Sequence, residues 1–386
     1  MEIYQINIGD SEILLDNNLS NVIMSSTINI PLISLGFHHF YHKSKDIFKS
    51  KINNLKSEND FYYIINPFEY KIPNYEDSLI KVTNQYLNSN LDDIPVKFYK
   101  LWEILYVFNL ASKKDQTYIS LNDDSKGFIQ AFTNYKQKFG PLNSKDNIYS
   151  NNKKNKQYAD LITADGELVW DNDLYQEQES YELIINEIIS ALKLQNKSGD
   201  FILKIYELFT ITSIKLIYLL SSFYTDAYIY KPYLSRTTDS EKYIVCKGFI
   251  YDQVKDSKIL NTKITSLENI LKNIDTNKYI YDIFPNLTLP DSYINKIKFI
   301  NIKFVNQQYI MIHNIIKYIK DNNYYGDKYH AYRDKQITAT KWWISMFFPP
   351  SKNLFEQNKN ELEKQLNHYQ EKNTMDFTNF ISLLAK

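Results

Sequence analysis

The chain has 386 residues, 45 Lys plus Arg against 45 Asp plus Glu and so no net charge, and a high aromatic content of 15%. That length suffices for one catalytic-size core with additions or for two domains, and the charge balance excludes a globally basic nucleic-acid binder, so any basic surface must be local. The single cysteine, Cys246, excludes a disulfide framework and a cysteine-built zinc site.

Residues 1–90 mix short β-like runs ("EIYQINI", "FYYIIN") with a polar helical stretch, "KSKDIFKSKINNLKSE". The start, "MEIYQINIGDSEILLD", has no basic segment followed by an apolar one and does not read as a signal peptide. No apolar run approaches the length of a membrane span. No membrane partner is expected, and the expected setting is reducing and cytoplasmic. Pro67, Pro73 and Pro95 punctuate the chain before a helix opens near Val96. Strands are then expected at "TYISLN" (117–122), "DLITAD" (160–165), "DFILKIY" (200–206), "DAYIYK" (226–231) and "EKYIVCKGF" (241–249). Between them, Ile184, Ile185, Ile188, Ile189 and Leu192 mark one apolar face at helical spacing. The stretch 212–224 is apolar almost all round and reads as a buried helix. The asparagine-rich piece 144–157 reads as a solvated loop, and from about 256 the pattern turns helical.

Alternating apolar strands and helices indicate an α/β fold with a mostly parallel, doubly wound sheet. The connection before Glu241 is too short for a helical crossover, so the last strand is expected to run antiparallel. In such sheets the site lies at the carboxyl ends of the strands. Asp165 and Lys204 fall at or near such ends, Glu241 starts the antiparallel strand at the same edge, and Lys100 sits on the preceding helix. The four side chains either meet in one place or are independent strand-end charges.

"YKLWEIL", "ITADGE", "GDFILKIYELFT" and "KPYLSRTTDSEKYIVCKGF", in this order, resemble the FtsJ-type S-adenosylmethionine-dependent RNA 2′-O-methyltransferases, above all the cap-1 group that includes those of asfarvirus-type large DNA viruses. The resemblance implies a Rossmann-like methyltransferase domain at 91–255, between an N-terminal accessory region (1–90) and a C-terminal, mainly helical region (256–386). It implies S-adenosylmethionine as cofactor, capped mRNA or another RNA as substrate, other capping-enzyme subunits as candidate partners, and host cytoplasm or virion as location if the chain is viral. It places a catalytic Lys-Asp-Lys-Glu tetrad on Lys100, Asp165, Lys204 and Glu241, with Lys204 as general base. Ser235 and Arg236 become candidates for RNA contact or for bracing Glu241, although a plain ion pair suits Arg236 equally.

The cofactor half departs from the family. Its Pro-Gly-Gly-Phe-type turn corresponds here to "SLNDDSKGFIQAF", which keeps Gly127 and Phe128 but has Ser125 and Lys126 in place of the proline and first glycine. Asn122, Asp123, Gly127, Phe128 and Asp165 are the candidate cofactor contacts, and Asn122 and Asp123 read equally as turn residues. A catalytically inactive homologue that stimulates a capping complex is the alternative function. Among His38, His39 and His42, positions 38 and 42 share a helix face, but no third ligand of suitable spacing accompanies them, so no metal is expected and local packing or cap binding is the favoured reading. The aromatic run 61–70 reads as core strand ahead of a stacking surface for a methylated guanine, and the segment Tyr324 to Trp343 suits either single-stranded RNA or a partner.

Overall fold

In chain order the strands are β1 (Glu2–Gln5), β2 (Val22–Ser25), β3 (Thr117–Leu121), β4 (Asn147–Ser150), β5 (Ala159–Ala164), β6 (Gln195–Ile205), β7 (Tyr224–Lys231), β8 (Lys242–Phe249) and β9 (Tyr279–Ile283). The helices are α1 (Leu35–Asn53), α2 (Leu79–Leu87), α3 (Val96–Phe108), α4 (Gly127–Phe139), α5 (Gln176–Glu179), α6 (Tyr181–Leu194), α7 (Ile211–Ser221), α8 (Ser257–Lys272), α9 (Asp291–Asp321), α10 (Asp327–Phe347) and α11 (Lys352–Leu384), with a short 3-10 helix at Phe61–Ile65. This is a computed structural model, and it describes residues 2–7, 21–28, 31, 35–53, 61–72, 75, 78–90, 94–121, 126–150, 157–168, 175–275, 277–321 and 326–384.

The central sheet has seven strands in the order β1-β7-β8-β6-β5-β3-β4. β4, β3, β5 and β6 pair in parallel, and β8 runs antiparallel to both β6 and β7. The sheet is therefore mostly parallel, as expected, but β1 adds a second antiparallel strand on β7. Strand alternation sorts the core onto two faces. Tyr118, Leu161, Ile202, Tyr243 and Val245 face α3, α4 and α10, whereas Ile119, Ile162, Leu203 and Ile244 face α6 and α7.

Three sequence expectations are corrected. "FYYIIN" holds a 3-10 helix rather than a strand; it lies against α9 and α10 instead of a sheet edge, and strand propensity counts only where a pleated neighbour exists to pack on. The polar run 144–157 contains β4, an edge strand parallel to β3. Its residues are exposed or half-buried, so it shows none of the apolar signal of a buried strand. The region beyond 256 is mainly helical but includes β9, which pairs antiparallel with β2 from the N-terminal region.

Elements from either side of the central strands also brace the helix that bears the first tetrad lysine. Glu103 of α3 is buried and accepts hydrogen bonds from the Tyr230 hydroxyl, from Tyr233 N at 2.9 Å and from Trp343 Nε1 of α10 at 2.8 Å. Burial pushes its pKa up to about 7, against the pull of these donors. Glu103→Ala withdraws one acceptor from three donors at once and is expected to destabilise the fold by about 2–4 kcal/mol, read as a lower urea midpoint; a loss below about 1 kcal/mol would contradict this role.

Candidate active site

The sheet register gathers the site. In the β6–β8 ladder Lys204 lies opposite Tyr243, and directly opposed residues of an antiparallel pair project from the same face. Glu241 precedes Tyr243 by two residues and so shares that face. Leu203 pairs with Ala164, which sets Asp165 beside Lys204. α3 crosses the same face, and Lys97 and Lys100, one turn apart, project together. Gly166 N donates to Glu187 Oε1 at 3.1 Å, and a Cβ added at Gly166 would displace the ends of the Glu187 and Leu183 side chains.

All four predicted tetrad residues come together. Lys100 Nζ is 2.6 Å from Glu241 Oε1, and Lys204 Nζ is 3.2 Å from Asp165 Oδ1 and 3.3 Å from its carbonyl oxygen. The Tyr243 hydroxyl bridges the two pairs, 3.3 Å from Asp165 Oδ1 and 3.2 Å from Glu241 Oε1. Ser235 Oγ donates to Glu241 Oε1 at 2.8 Å. Lys97 joins unannounced, with Nζ 2.8 Å from Asp165 Oδ2 and 3.0 Å from Glu167 Oε1. Three lysines thus face three carboxylates, a neutral arrangement that offsets much of the cost of burying each charge.

The electrostatics separate the two tetrad carboxyls. Burial raises the pKa of Glu241, but Lys100 and then Lys204 more than reverse this and hold it at about 2. Asp165 is shifted the other way: burial, assisted by Glu241, prevails over Lys204 and Lys97. Lys97 is desolvated too, yet Asp165 raises its pKa above the ordinary lysine value. Another lysine, Lys242, has its pKa lowered to about 7 by burial and by Lys231. Its side chain leaves the opposite face of β8, donating to the carbonyls of Tyr206 and Ser240, so it lies outside the cluster.

On one side the cluster opens into a polar cleft of about 300 Å³ lined by Lys204, Glu241, Tyr206, Gln176, Asp239 and Lys45. On the other side lie the carboxyl ends of β3 and β5, where Asp165 N donates to Leu121 O at 3.4 Å. Asp165 Oδ2 is buried and, despite the Lys97 ion pair, has no directed hydrogen bond among the described residues. A buried carboxylate suits a cofactor that carries an ammonium and a sulfonium group, and here Lys97 Nζ already holds its Oδ2 at 2.8 Å. Lys126 adopts a left-handed conformation (φ 56°) where α4 begins at Gly127, a geometry that glycine reaches without a Cβ penalty. Phe128 is buried, its ring tilted by 42° to that of Tyr243 with centres 6.3 Å apart. Asn122 and Asp123 lie outside the described residues.

The other candidates settle elsewhere. Arg236 forms a bidentate pair with Glu69, its Nε 3.1 and 3.2 Å from the two carboxylate oxygens, and does not touch Glu241. His38 and His42 of α1 pack ring on ring at 4.2 Å, and His42 Nε2 lies 3.1 Å from Glu207 Oε2. Burial, with His42, drives the His38 pKa down to about 4. Among the described residues no group of three or more His, Cys, Asp or Glu is arranged to hold a metal ion, and no helix is long and apolar enough to cross a membrane. In α10, Trp343 is buried and Trp342 packs on Tyr233 at 5.1 Å, so its tryptophans face the interior. Sequence reasoning missed Lys97, Glu167 and Tyr243. The i,i+3 spacing of Lys97 to Lys100 and the i,i+2 spacing of Glu241 to Tyr243 were the available signals.

Residues 115–249 match FtsJ-like methyltransferases as a family and form an FtsJ-like methyltransferase domain. An uncharacterized protein of Acanthamoeba polyphaga mimivirus is 24% identical over 349 residues, which cover 87% of this chain and 90% of the viral one. A cap-specific mRNA (nucleoside-2′-O-)-methyltransferase 1A of Caenorhabditis briggsae is 32% identical over 187 residues, 44% of this chain and 21% of that protein. A protein of the same organism named as an inactive cap-specific mRNA (nucleoside-2′-O-)-methyltransferase 1B is 27% identical over 199 residues, 48% of this chain and 23% of its own length. This chain therefore spans less than a quarter of either nematode relative.

The depressed Glu241 pKa has a defined sign. A carboxyl at about 2 in the folded chain, against an ordinary 4.5, contributes stability that is present above about pH 4.5 and is lost as the pH falls towards 2. The stability difference between the wild type and Glu241→Gln, measured by urea unfolding from pH 7 to pH 3, is expected to narrow below about pH 4.5; a difference that grows with acid would contradict the ion-pair account.

Proposed function

We propose that the chain is an S-adenosylmethionine-dependent RNA 2′-O-methyltransferase that modifies the first transcribed nucleotide of capped mRNA. The observation that carries this reading is the buried, neutral cluster of Lys100, Asp165, Lys204 and Glu241, which opens onto a polar cleft. The cap-specific relatives support the choice of capped RNA. On this reading residues 91–255 are the catalytic core, and 1–90 and 256–386 are accessory regions.

Asp165, Gly127 and Phe128 are the described residues that would hold the cofactor. When bound, S-adenosylmethionine supplies a methyl group on a sulfonium sulfur. The acceptor ribose enters from the cleft beside Lys204 and Glu241. For transfer Lys204 must first give up its own proton, and in its uncharged form Nζ takes the proton as the 2′-hydroxyl gives up its O–H bond. Asp165 accepts from Lys204 through both its carboxylate and its carbonyl oxygen and fixes the direction of the amine. Lys100 keeps Glu241 ionised, and Glu241, braced by Ser235, orients the hydroxyl. Most of the acceleration comes from alignment of the reacting atoms, which a cluster fixed on two strands and a helix can supply.

A second reading, a non-catalytic homologue acting within a capping complex, is favoured by one observation: Lys97 is already paired with Asp165 on the cofactor side. Calorimetric titration separates the two. Binding of S-adenosylmethionine or S-adenosylhomocysteine is expected, and no heat at millimolar ligand would sink the enzyme reading in favour of the non-catalytic one. Lys204→Ala is expected to lower methyl transfer by more than about 100-fold while RNA binding survives, and undiminished activity would remove Lys204 as the base.

A further inference from the structure

Glu241 and Ser235 both sit on the connection between β7 and β8, residues 232–241. Within that connection the backbone bonds are Ser235 N to Pro232 O and Asp239 N to Arg236 O, each at 3.0 Å. Lys231 Nζ reaches the carbonyls of Asp239 and Glu241 at 2.6 and 2.8 Å. These contacts shape the loop. Its outer part is tied to the rest of the protein by Gln308 Nε2 of α9, which donates to Asp239 O, by Ser240 Oγ, which donates to Gln176 Oε1, and by Arg236, which holds the segment before them. Besides the two Nε contacts, its Nη2 is 3.0 Å from Glu69 Oε1, and its guanidinium carbon lies 3.7 Å from the centre of the Tyr63 ring.

The receiving side is itself fastened. Asn66 Nδ2 donates to Glu69 Oε2 at 3.3 Å. Gln336 Nε2 of α10 donates to the carbonyls of Tyr63 and Asn66 at 3.0 and 2.8 Å. Phe68 packs on Tyr233 of the loop with ring centres 4.6 Å apart. The Glu69 side chain is 9% exposed and that of Arg236 33%, so the pair is more sheltered than a solvated surface bridge of small worth. Grasping a carboxylate with a fork while stacking on a ring is a task for a planar guanidinium that the point charge of lysine does not perform. In a chain whose cations are almost all lysine, arginine stands at the position where both contacts are made.

We propose that Arg236 is a positioning residue: clamped between Glu69 and Tyr63, it fixes the 232–241 loop so that Ser235 and Lys100 hold the Glu241 carboxylate at the acceptor cleft. Segments outside the methyltransferase domain, 61–70 and α10, thereby set the geometry of its Glu241 end. The catalytic half of this inference rests on the methyltransferase reading; the mechanical half does not.

Hydrogen–deuterium exchange on the full chain, read by mass spectrometry and combined with single-turnover methyl transfer, tests both halves. In Glu69→Gln, an isosteric change that removes the charge, peptides covering 232–241 are expected to exchange about tenfold faster or more, with β8 unchanged. The transfer rate should fall by a similar factor while the Kd for S-adenosylmethionine stays within about twofold. Arg236→Lys should act in the same direction, and the double exchange Glu69→Arg with Arg236→Glu should restore part of both losses. Unchanged loop exchange overturns the clamp. Faster loop exchange with an undiminished transfer rate, or faster exchange spreading through β8, overturns the positioning role. If the wild type transfers no methyl, the methyltransferase reading fails, and loop exchange alone then decides whether the clamp exists.

Discussion

A charge cannot be buried alone at the end of a sheet, and that constraint shapes the centre of this molecule. Asp165, Lys204 and Lys100 are each largely withdrawn from water, and an isolated ion in such a place would cost several kcal/mol. They are tolerated because three lysines meet three carboxylates within ion-pair distance. Each element around the cluster serves that neutrality. The β6–β8 register sets Lys204 and Tyr243 side by side, a helical turn of α3 supplies two cations, and the Gly166 N–H bond to Glu187 Oε1 holds the backbone just after Asp165. Asp165 and Glu241, equal in formal charge, are driven to opposite sides of the ordinary carboxyl range because burial dominates one and lysines dominate the other.

The same device recurs around the core. Glu103 gathers donors from β7, the loop after it and α10. Glu177 accepts from Phe209 N, Thr210 N and Ser213 Oγ at 3.1, 2.8 and 2.6 Å, which satisfies the start of α7. Glu207, held well below the ordinary carboxyl range by Lys45 and His42 against the effect of its burial, ties α1 to the end of β6. Buried carboxylates thus join segments far apart in sequence, and Lys45 of α1 reaches the cleft lined by Lys204.

The parts of the fold legible in the sequence were those whose side chains alternate between core and solvent or core and core. β3, β5, β8 and the second half of β6 carry short apolar runs, β7 alternates buried with more exposed residues, and α6 has an unbroken apolar face. β4 was hidden because an edge strand with exposed residues needs no apolar pattern, and the strand-like residues of 61–65 folded otherwise because their neighbours are helices. In the site, Lys100, Asp165, Lys204 and Glu241 were legible from strand ends and from family resemblance. Lys97 was not, because a lysine on a helix surface is ordinary until a partner appears. The partner of Arg236 was out of reach as well, since Glu69 lies 167 residues away in sequence and nothing local links them.

The central claim is that this cluster directs a methyl group onto a ribose 2′-oxygen next to an mRNA cap. The most direct measurement incubates the full chain with methyl-labelled S-adenosylmethionine and a capped oligoribonucleotide, followed by complete nuclease digestion and nucleoside mass spectrometry. The account predicts label in a single nuclease-resistant, cap-adjacent dinucleotide, carried on its ribose. Label on a base, or label spread along the RNA, would contradict it.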